Sequence, residues 1–196
     1  MQLALFDFDH TISTCDTYSR FLRLVATPRQ LARARWTVGP WLLGYRMGLV
    51  SAAAIRARAT KAAFAGRDAA EITALAAHYA QQQLPALLRP DMVRRIEWHR
   101  AQGHRMVVVS GSLDLYLRPW CDQHGLELVC NRLQVAGACL TGHYEGGDIG
   151  PRKAHEIRRR YVLDDYRRIH AYGDSREDRG MLALAHERWY GGVQVA

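Results

Sequence analysis

Two aspartates, Asp7 and Asp9, close the apolar run Leu3-Ala4-Leu5-Phe6. A short apolar run of this kind predicts a strand. Side chains at i and i+2 of a strand share a face, so both carboxylates can be turned toward one site just past the strand end. Carboxylates there are costly to strip of water unless a cation or several donors meet them. The pair points to a hard, oxygen-preferring metal such as Mg2+; the competing reading is a solvated turn that happens to hold two Asp. Two other stretches repeat the arrangement. Arg105–Val109 predicts a strand ending at Ser110-Gly111-Ser112, and Ile169–Tyr172 predicts another ending at Gly173-Asp174-Ser175. Parallel strands place such ends on one ligand-binding edge. Ser110 and the amides after it, read as the start of a helix, offer a phosphate seat. Asp174 and Asp178, four apart, can share one metal. Lys153 opens a helix after Gly150-Pro151. Only two of the 27 basic residues are Lys, so a compact, movable ammonium stands where guanidinium is the habit of the chain.

The elements that must position these groups fall into two blocks. From Asp91 onward helices and strands alternate, the pattern of a parallel sheet. Helices are expected at Asp91–Gln102, from Ser112 to His124, at Lys153–Tyr161 and at Met181–His186. Strands are expected at Leu126–Cys130 and Arg188–Tyr190, and a hairpin over Arg132–Tyr144 around Gly137. Residues Thr17 to about Leu84 carry no strand signal and read as about four helices: Thr17–Ala26, Gln30–Gly48 broken at Gly39-Pro40, Ala52–Ala65 capped by Ser51, and one opening at an Asp68/Glu71 capping box. The expected architecture is α/β, a Rossmann-like parallel-sheet core (1–15 and 88–196) with an inserted all-helical cap (16–87).

Composition narrows the partners. The chain of 196 residues is 48% hydrophobic with a net charge of +8, which suits a globular protein with anionic ligands. The Arg are scattered, which argues against nucleic acid. Cys15, Cys121, Cys130 and Cys139 form no C-x-x-C pair, so neither a zinc site nor a disulfide framework is indicated. A strand beginning near residue 3 leaves no room for a signal peptide, so a cytoplasmic location is expected. His99, His104 and His155 read as surface or helix-end residues.

Asp7-Phe8-Asp9-His10-Thr11, Val108–Ser112, Lys153 and Gly173–Asp178 resemble, in order and spacing, the four motifs of the haloacid dehalogenase superfamily. The helical insert resembles the cap of its phosphoserine-phosphatase-like branch, subfamily IB. The resemblance implies a Mg2+-dependent phosphomonoesterase. Asp7 would attack phosphorus to give an aspartyl-phosphate, and Asp9 would serve as general acid and then base. Mg2+ would be held by the Asp7 carboxylate, the Asp9 carbonyl and Asp174, with Asp178 behind them. Ser110, Gly111 and Lys153 would grip the phosphoryl oxygens. Dehalogenases of the superfamily lack the second Asp, so Asp9 speaks for phosphate chemistry.

Departures from the pattern bear on the substrate. His10 stands where smaller residues are commoner. Asp16 takes the place of a Glu that meets the amine in phosphoserine phosphatases, Arg58 falls near their carboxylate-binding Arg, and Ser51 near their aromatic. Asp16 and Arg58 are thus the specificity candidates, and phosphoserine is the less favoured substrate against another small phosphorylated metabolite. Arg152 competes with Lys153 for the phosphate, with Lys153 preferred. The apolar stretch Trp36–Val50, too short and interrupted to span a bilayer, reads as cap packing. With Arg20, Arg23, Arg33, Arg35 and Arg46 nearby, the alternative is peripheral contact with an anionic membrane and a phospholipid head-group substrate such as phosphatidylglycerophosphate.

Overall fold

The computed structural model describes residues 1–195, the side chains of Arg33 and Arg46 excepted; those two members of the Arg set lie outside the described residues. The chain runs β1 (Gln2–Phe6), a wide turn (Phe8–Ile12), α1 (Thr17–Val25), α2 (Pro28–Thr37), α3 (Gly39–Arg46), α4 (Ala52–Phe64), α5 (Ala69–Gln82) and α6 (Pro90–Ala101). It continues through β2 (Arg105–Leu113), α7 (Asp114–Gln123), β3 (Glu127–Asn131), β4 (Leu133–Ala136), β5 (Cys139–Tyr144), α8 (Lys153–Arg160), β6 (Arg168–Gly173), α9 (Arg179–Leu182), β7 (Glu187–Tyr190) and β8 (Val193–Val195). The fold is α/β and Rossmann-like. Its main sheet has the order β3-β2-β1-β6-β7-β8, parallel except for β8 at the edge.

Both faces of the sheet are covered, which is why β1 and β2 read as unbroken apolar runs. Leu3, Leu5, Val107, Val109, Ile169 and Ala171 pack on one side with Ile157, Tyr161 and Met181. Ala4, Phe6, Val108 and Tyr172 pack on the other with Ile96, Tyr116 and Trp120. Helix stops and starts follow local chemistry: Asp16, Ser51 and Asp68 accept the amides of Ser19, Ala54 and Glu71 as N-caps. Glu71 spends its carboxylate on Arg67 instead of closing the expected capping box.

Three expectations change. The stretch Gln30–Gly48 is broken at Gly39-Pro40 as expected, but the break makes two separate helices, α2 and α3, so the segment between β1 and α6 has five helices rather than about four. β2 runs to Leu113, past the expected end at Val109. Its register against β3 jumps from Val109↔Val129 to Leu113↔Asn131, so Ser110–Ser112 form a bulge, and the stretch expected to seat a phosphate is that bulge rather than the first turn of α7. β8, a short exposed edge strand, was not expected.

The insert leaves and rejoins the core side by side: Ser13 bridges Leu88, and Thr14 N and Arg89 N donate to Leu87 O and Ile12 O. The hairpin β4–β5 associates with the insert. Gly66 N, Ala69 N and Leu140 N bond Leu140 O, Ala138 O and Arg67 O. A Cβ on Gly142 would come within 2.9 Å of the Lys61 backbone in α4. Phe21, Phe64 and Tyr79 of the insert pack around Tyr116 of α7. No helix of the described residues is long and apolar enough to cross a membrane.

Candidate active site

Strand register brings the three polar strand ends together. Phe6 pairs with Val108 on one side and Tyr172 on the other. The next residues, Asp7, Val109-Ser110 and Gly173-Asp174, therefore share the C-terminal edge. The Asp7 amide donates to Tyr172 O at 2.9 Å, which fixes where the carboxylate stands.

Lys153, 3% exposed at the start of α8, reaches Asp7 Oδ1 at 2.5 Å and Asp178 Oδ1 at 2.6 Å. Arg152 points away, to the carbonyls of Gly146 and Asp148, so Lys153 is the cation that faces Asp7. Asp178 Oδ2 takes Ser175 N, Ser175 Oγ and Asp174 N. That packing needs Gly173, where a Cβ would sit 2.6 Å from Asp178 Cβ. Thr11 Oγ1 donates to Asp174 Oδ1 at 3.4 Å. Carboxylate oxygens of Asp7, Asp174 and Asp178 all lie within 4.8 Å of one another. Three carboxylates thus crowd around one ammonium, an excess that a divalent cation offsets. Asp7 and Asp174 offer oxygen ligands of the kind hard cations take, so the donor set fits Mg2+.

Burial raises both motif aspartates, and their partners separate them. Burial drives the Asp7 carboxyl well above its usual range; Lys153 opposes this, and Asp178 adds to it. Burial works against charge on Lys153, but Asp7 and Asp178 outweigh it and hold the ammonium charged. Burial also resists charge on Asp178, yet Lys153 and the Ser175 donors pull its carboxyl below the ordinary value. Asp9 is fixed away from the ammonium. Its Oδ1 takes Thr17 N at 2.7 Å and Thr17 Oγ1 at 2.5 Å, and its Oδ2 takes Ser112 Oγ. Burial, then the Asp16 charge, still raises its carboxyl. Burial and Asp178 raise Asp174 in the same direction.

Helix α4 supplies a residue that spacing did not reveal. Arg56 of α4 crosses to the core, with Nε 2.9 Å from Asp148 Oδ2 and Nη2 2.8 Å from Glu177 Oε1. It lies over the Ser110–Ser112 bulge: a Cβ on Gly111 would come within 3.4 Å of its guanidinium carbon. A Cβ on Gly150 would collide with the guanidinium and with Glu177. Asn131, the last residue of β3, braces this corner through Gly111 O, Asp148 Oδ1 and Ile149 N. Asn131 had a signal, a polar residue closing an apolar strand as at the other three ends. Arg56 had none.

The specificity candidates sit elsewhere. Asp16 spends both carboxylate oxygens on Ser19 as the cap of α1. Arg58 is exposed and lies 3.3 Å over the Trp41 ring. His10 holds a left-handed backbone (φ 58°) in the turn after β1.

The family described as haloacid dehalogenase-like hydrolase matches residues 4–183. Protein CicA of Caulobacter vibrioides (strain NA1000 / CB15N) is 34% identical over 200 residues, covering 96% of this chain and 85% of that protein. A protein of unknown function from Bordetella pertussis Tohama I has a similar fold, with TM-score 0.79, 21% identity, and coverage of 95% of this chain and 88% of the other. A substrate-bound phosphoserine phosphatase superposes with TM-score 0.70 at 18% identity, over 96% and 84% of the two chains. With the family match running from β1 to α9 through every strand end of the site, the chain belongs to the haloacid dehalogenase-like hydrolases.

Proposed function

We propose that the protein is a Mg2+-dependent phosphomonoesterase that works through an aspartyl-phosphate on Asp7 and takes a small phosphorylated metabolite. The observation that carries this reading is the division of labour between two buried aspartates: Asp7 bonded to Lys153, and Asp9 held apart by Thr17 and Ser112. Asp7 Oδ2 attacks phosphorus while the P–O bond to the alcohol breaks, and Asp9 gives its proton to the leaving oxygen. Asp9, now a carboxylate, takes a proton from water. That water attacks phosphorus, the bond to Asp7 breaks, and phosphate leaves. Ser110, Gly111 and Lys153 receive the phosphoryl oxygens. Asp7, Asp174 and the Asp9 carbonyl would hold Mg2+, which supplies charge neutralisation between the anionic nucleophile and the phosphoryl group. Asp178 keeps Lys153 in place. Phosphoserine remains the less favoured substrate, since Asp16 is committed to Ser19 and Arg58 to Trp41.

Phosphate release from a panel of monoesters, including sugar phosphates, nucleotides, phosphoserine and lipid phosphates, tests the reading. Release is expected with Mg2+ and lost with EDTA or in Asp7→Asn. Asp7→Asn turning over at the wild-type rate overturns the covalent mechanism.

One observation favours a second reading, a phospholipid head-group phosphatase at an anionic membrane. Thr17 to Arg67 holds ten basic residues and no acidic one. Within it Trp36, Leu43, Met47 and Leu49 are all exposed, Trp36 at 85%. A basic, apolar tip of this kind suits anionic head groups. Hydrolysis of lyso- or diacyl-lipid phosphates in preference to soluble esters selects this reading.

A further inference from the structure

Away from the carboxylates, three histidines converge beside the N-terminal end of β2. His99, expected at the surface, is fully buried on α6. His104 is half-buried just before β2, and His170 is 3% exposed on β6, paired with Ala4 of β1. One ring nitrogen of each lies within 4.8 Å of the others. Ring centroids are 5.1 Å (His99–His104), 4.9 Å (His99–His170) and 5.6 Å (His104–His170) apart. Two imidazoles on one tetrahedral zinc have centroids about 5 Å apart.

The hydrogen bonds leave one nitrogen of each ring turned toward a shared centre. His170 Nε2 meets Gln2 Oε1 at 2.7 Å. A carbonyl oxygen only accepts, so Nε2 carries the proton and Nδ1 a bare lone pair. That Nδ1 is buried with no hydrogen-bond partner. His99 Nε2 meets the Tyr172 hydroxyl at 2.8 Å, leaving Nδ1, which faces His104 Nδ1 at 2.8 Å. Two imidazole nitrogens this close require a proton or a cation between them. Metal-bound imidazoles are oriented by a bond on the other ring nitrogen, the part Gln2 and Tyr172 play here.

We propose that His99, His104 and His170 form a second metal site, for a borderline divalent transition metal with Zn2+ as the reference ion, distinct from the carboxylate centre. Imidazole nitrogen suits Zn2+ and its neighbours and not Mg2+. Three protein ligands leave one position open, and Glu187 Oε2, 3.3 Å from His170 Nδ1, lies beside it as a carboxylate. Trp98 packs edge-on against His99 and His104. Burial, with the neighbouring positive charges, keeps His99 down at about 3 and lowers His104 and His170 too. Burial thus favours the neutral ring, the form that ligates, while the Glu187 carboxylate beside His170 works against it. A bound metal would clamp α6 and the α6–β2 connection to β6, whose Tyr172 carbonyl holds the Asp7 amide.

The test is a Zn2+ titration of the untagged full chain, stripped of metal and kept in millimolar Mg2+ to fill the carboxylate centre. One equivalent is expected to bind with a Kd below about 1 μM and to raise Tm. His104→Ala is expected to weaken Zn2+ at least about tenfold, while Asp174→Asn keeps it. Co2+ on the wild-type chain gives a readout that needs no variant: intense visible bands report a four-coordinate nitrogen site. Weak six-coordinate Co2+ bands, equal Zn2+ affinity in His104→Ala, or loss of Zn2+ in Asp174→Asn alone would each overturn the site and leave a proton-sharing histidine network.

Discussion

At the scale of single residues, the site sets two carboxylates in opposite electrostatic states around one lysine. Asp7 is raised by burial, so the folded state binds its proton more readily than the unfolded chain. Its ionisation then costs stability, and that cost grows as pH climbs from the ordinary carboxylate range to the raised value. Asp178 is lowered, so its stabilisation is complete above the ordinary carboxylate value and lost as pH falls through its depressed value. In EDTA at neutral pH, Asp7→Asn is expected to abolish turnover at a smaller cost in stability than Asp178→Asn, because the buried Asp7 carboxyl no longer has to ionise. Asp178→Asn is expected to lower stability by about 3 kcal/mol, since a buried lysine loses a partner. Both differences should shrink in melts taken below the ordinary carboxylate range. Asp9 adds a kinetic signature. Asp9→Asn should slow turnover of alkyl phosphates about 10²–10⁴-fold, while with p-nitrophenyl phosphate the burst of p-nitrophenol should persist, because that leaving group needs no proton, and only the later hydrolysis of the aspartyl-phosphate should slow. For alkyl esters the wild-type rate of Asp7 phosphorylation, read in single turnovers, should fall as pH rises through the raised value of Asp9; phosphorylation profiles that match for the two esters would remove the general-acid role.

At the scale of elements, what was readable from the sequence was what a strand end carries. Asp7, Asp9, Ser110, Asp174 and Lys153 stand at ends of periodic segments, and register alone sets the strand-end residues on one edge. The bulge at Ser110–Ser112 was not readable, because it depends on how β2 meets β3. Arg56 was not readable either, because a long side chain on a surface helix acquires meaning only from what the core presents to it, here Asp148 and Glu177. Arg56→Ala is expected to raise KM about tenfold or more with a smaller change in kcat, measured on the best panel substrate, because the α4 contact over Gly111 is lost. Gly150→Ala should mimic it, since the new methyl takes the guanidinium's place. Unchanged KM in both variants would mean that the α4 contact plays no part in substrate binding.

At the scale of the whole molecule, charge is divided unevenly. Thr17–Arg67 carries ten basic side chains and no acidic one, although the chain's net charge is only +8, so the rest is slightly acidic. Flotation with vesicles is expected to retain the protein on anionic lipid at low salt and release it as salt rises. Trp36→Ser with Leu49→Ser should weaken retention and leave p-nitrophenyl phosphate hydrolysis unchanged. Absence of flotation on anionic vesicles would reduce the tip to exposed packing surface.

The hairpin β4–β5 has a practical meaning for exchanging specificity between relatives. Segment 16–87 departs and returns through adjacent backbone bonds at Ser13 and Leu88, the layout that tolerates transplantation. A graft of that segment alone, however, must still bring its main chain to Leu140 O, Ala138 O and Leu140 N, whose partners here are Gly66, Ala69 and Arg67. The transferable module is therefore discontinuous: 16–87 together with 133–144, two pieces of chain that behave as one heritable part.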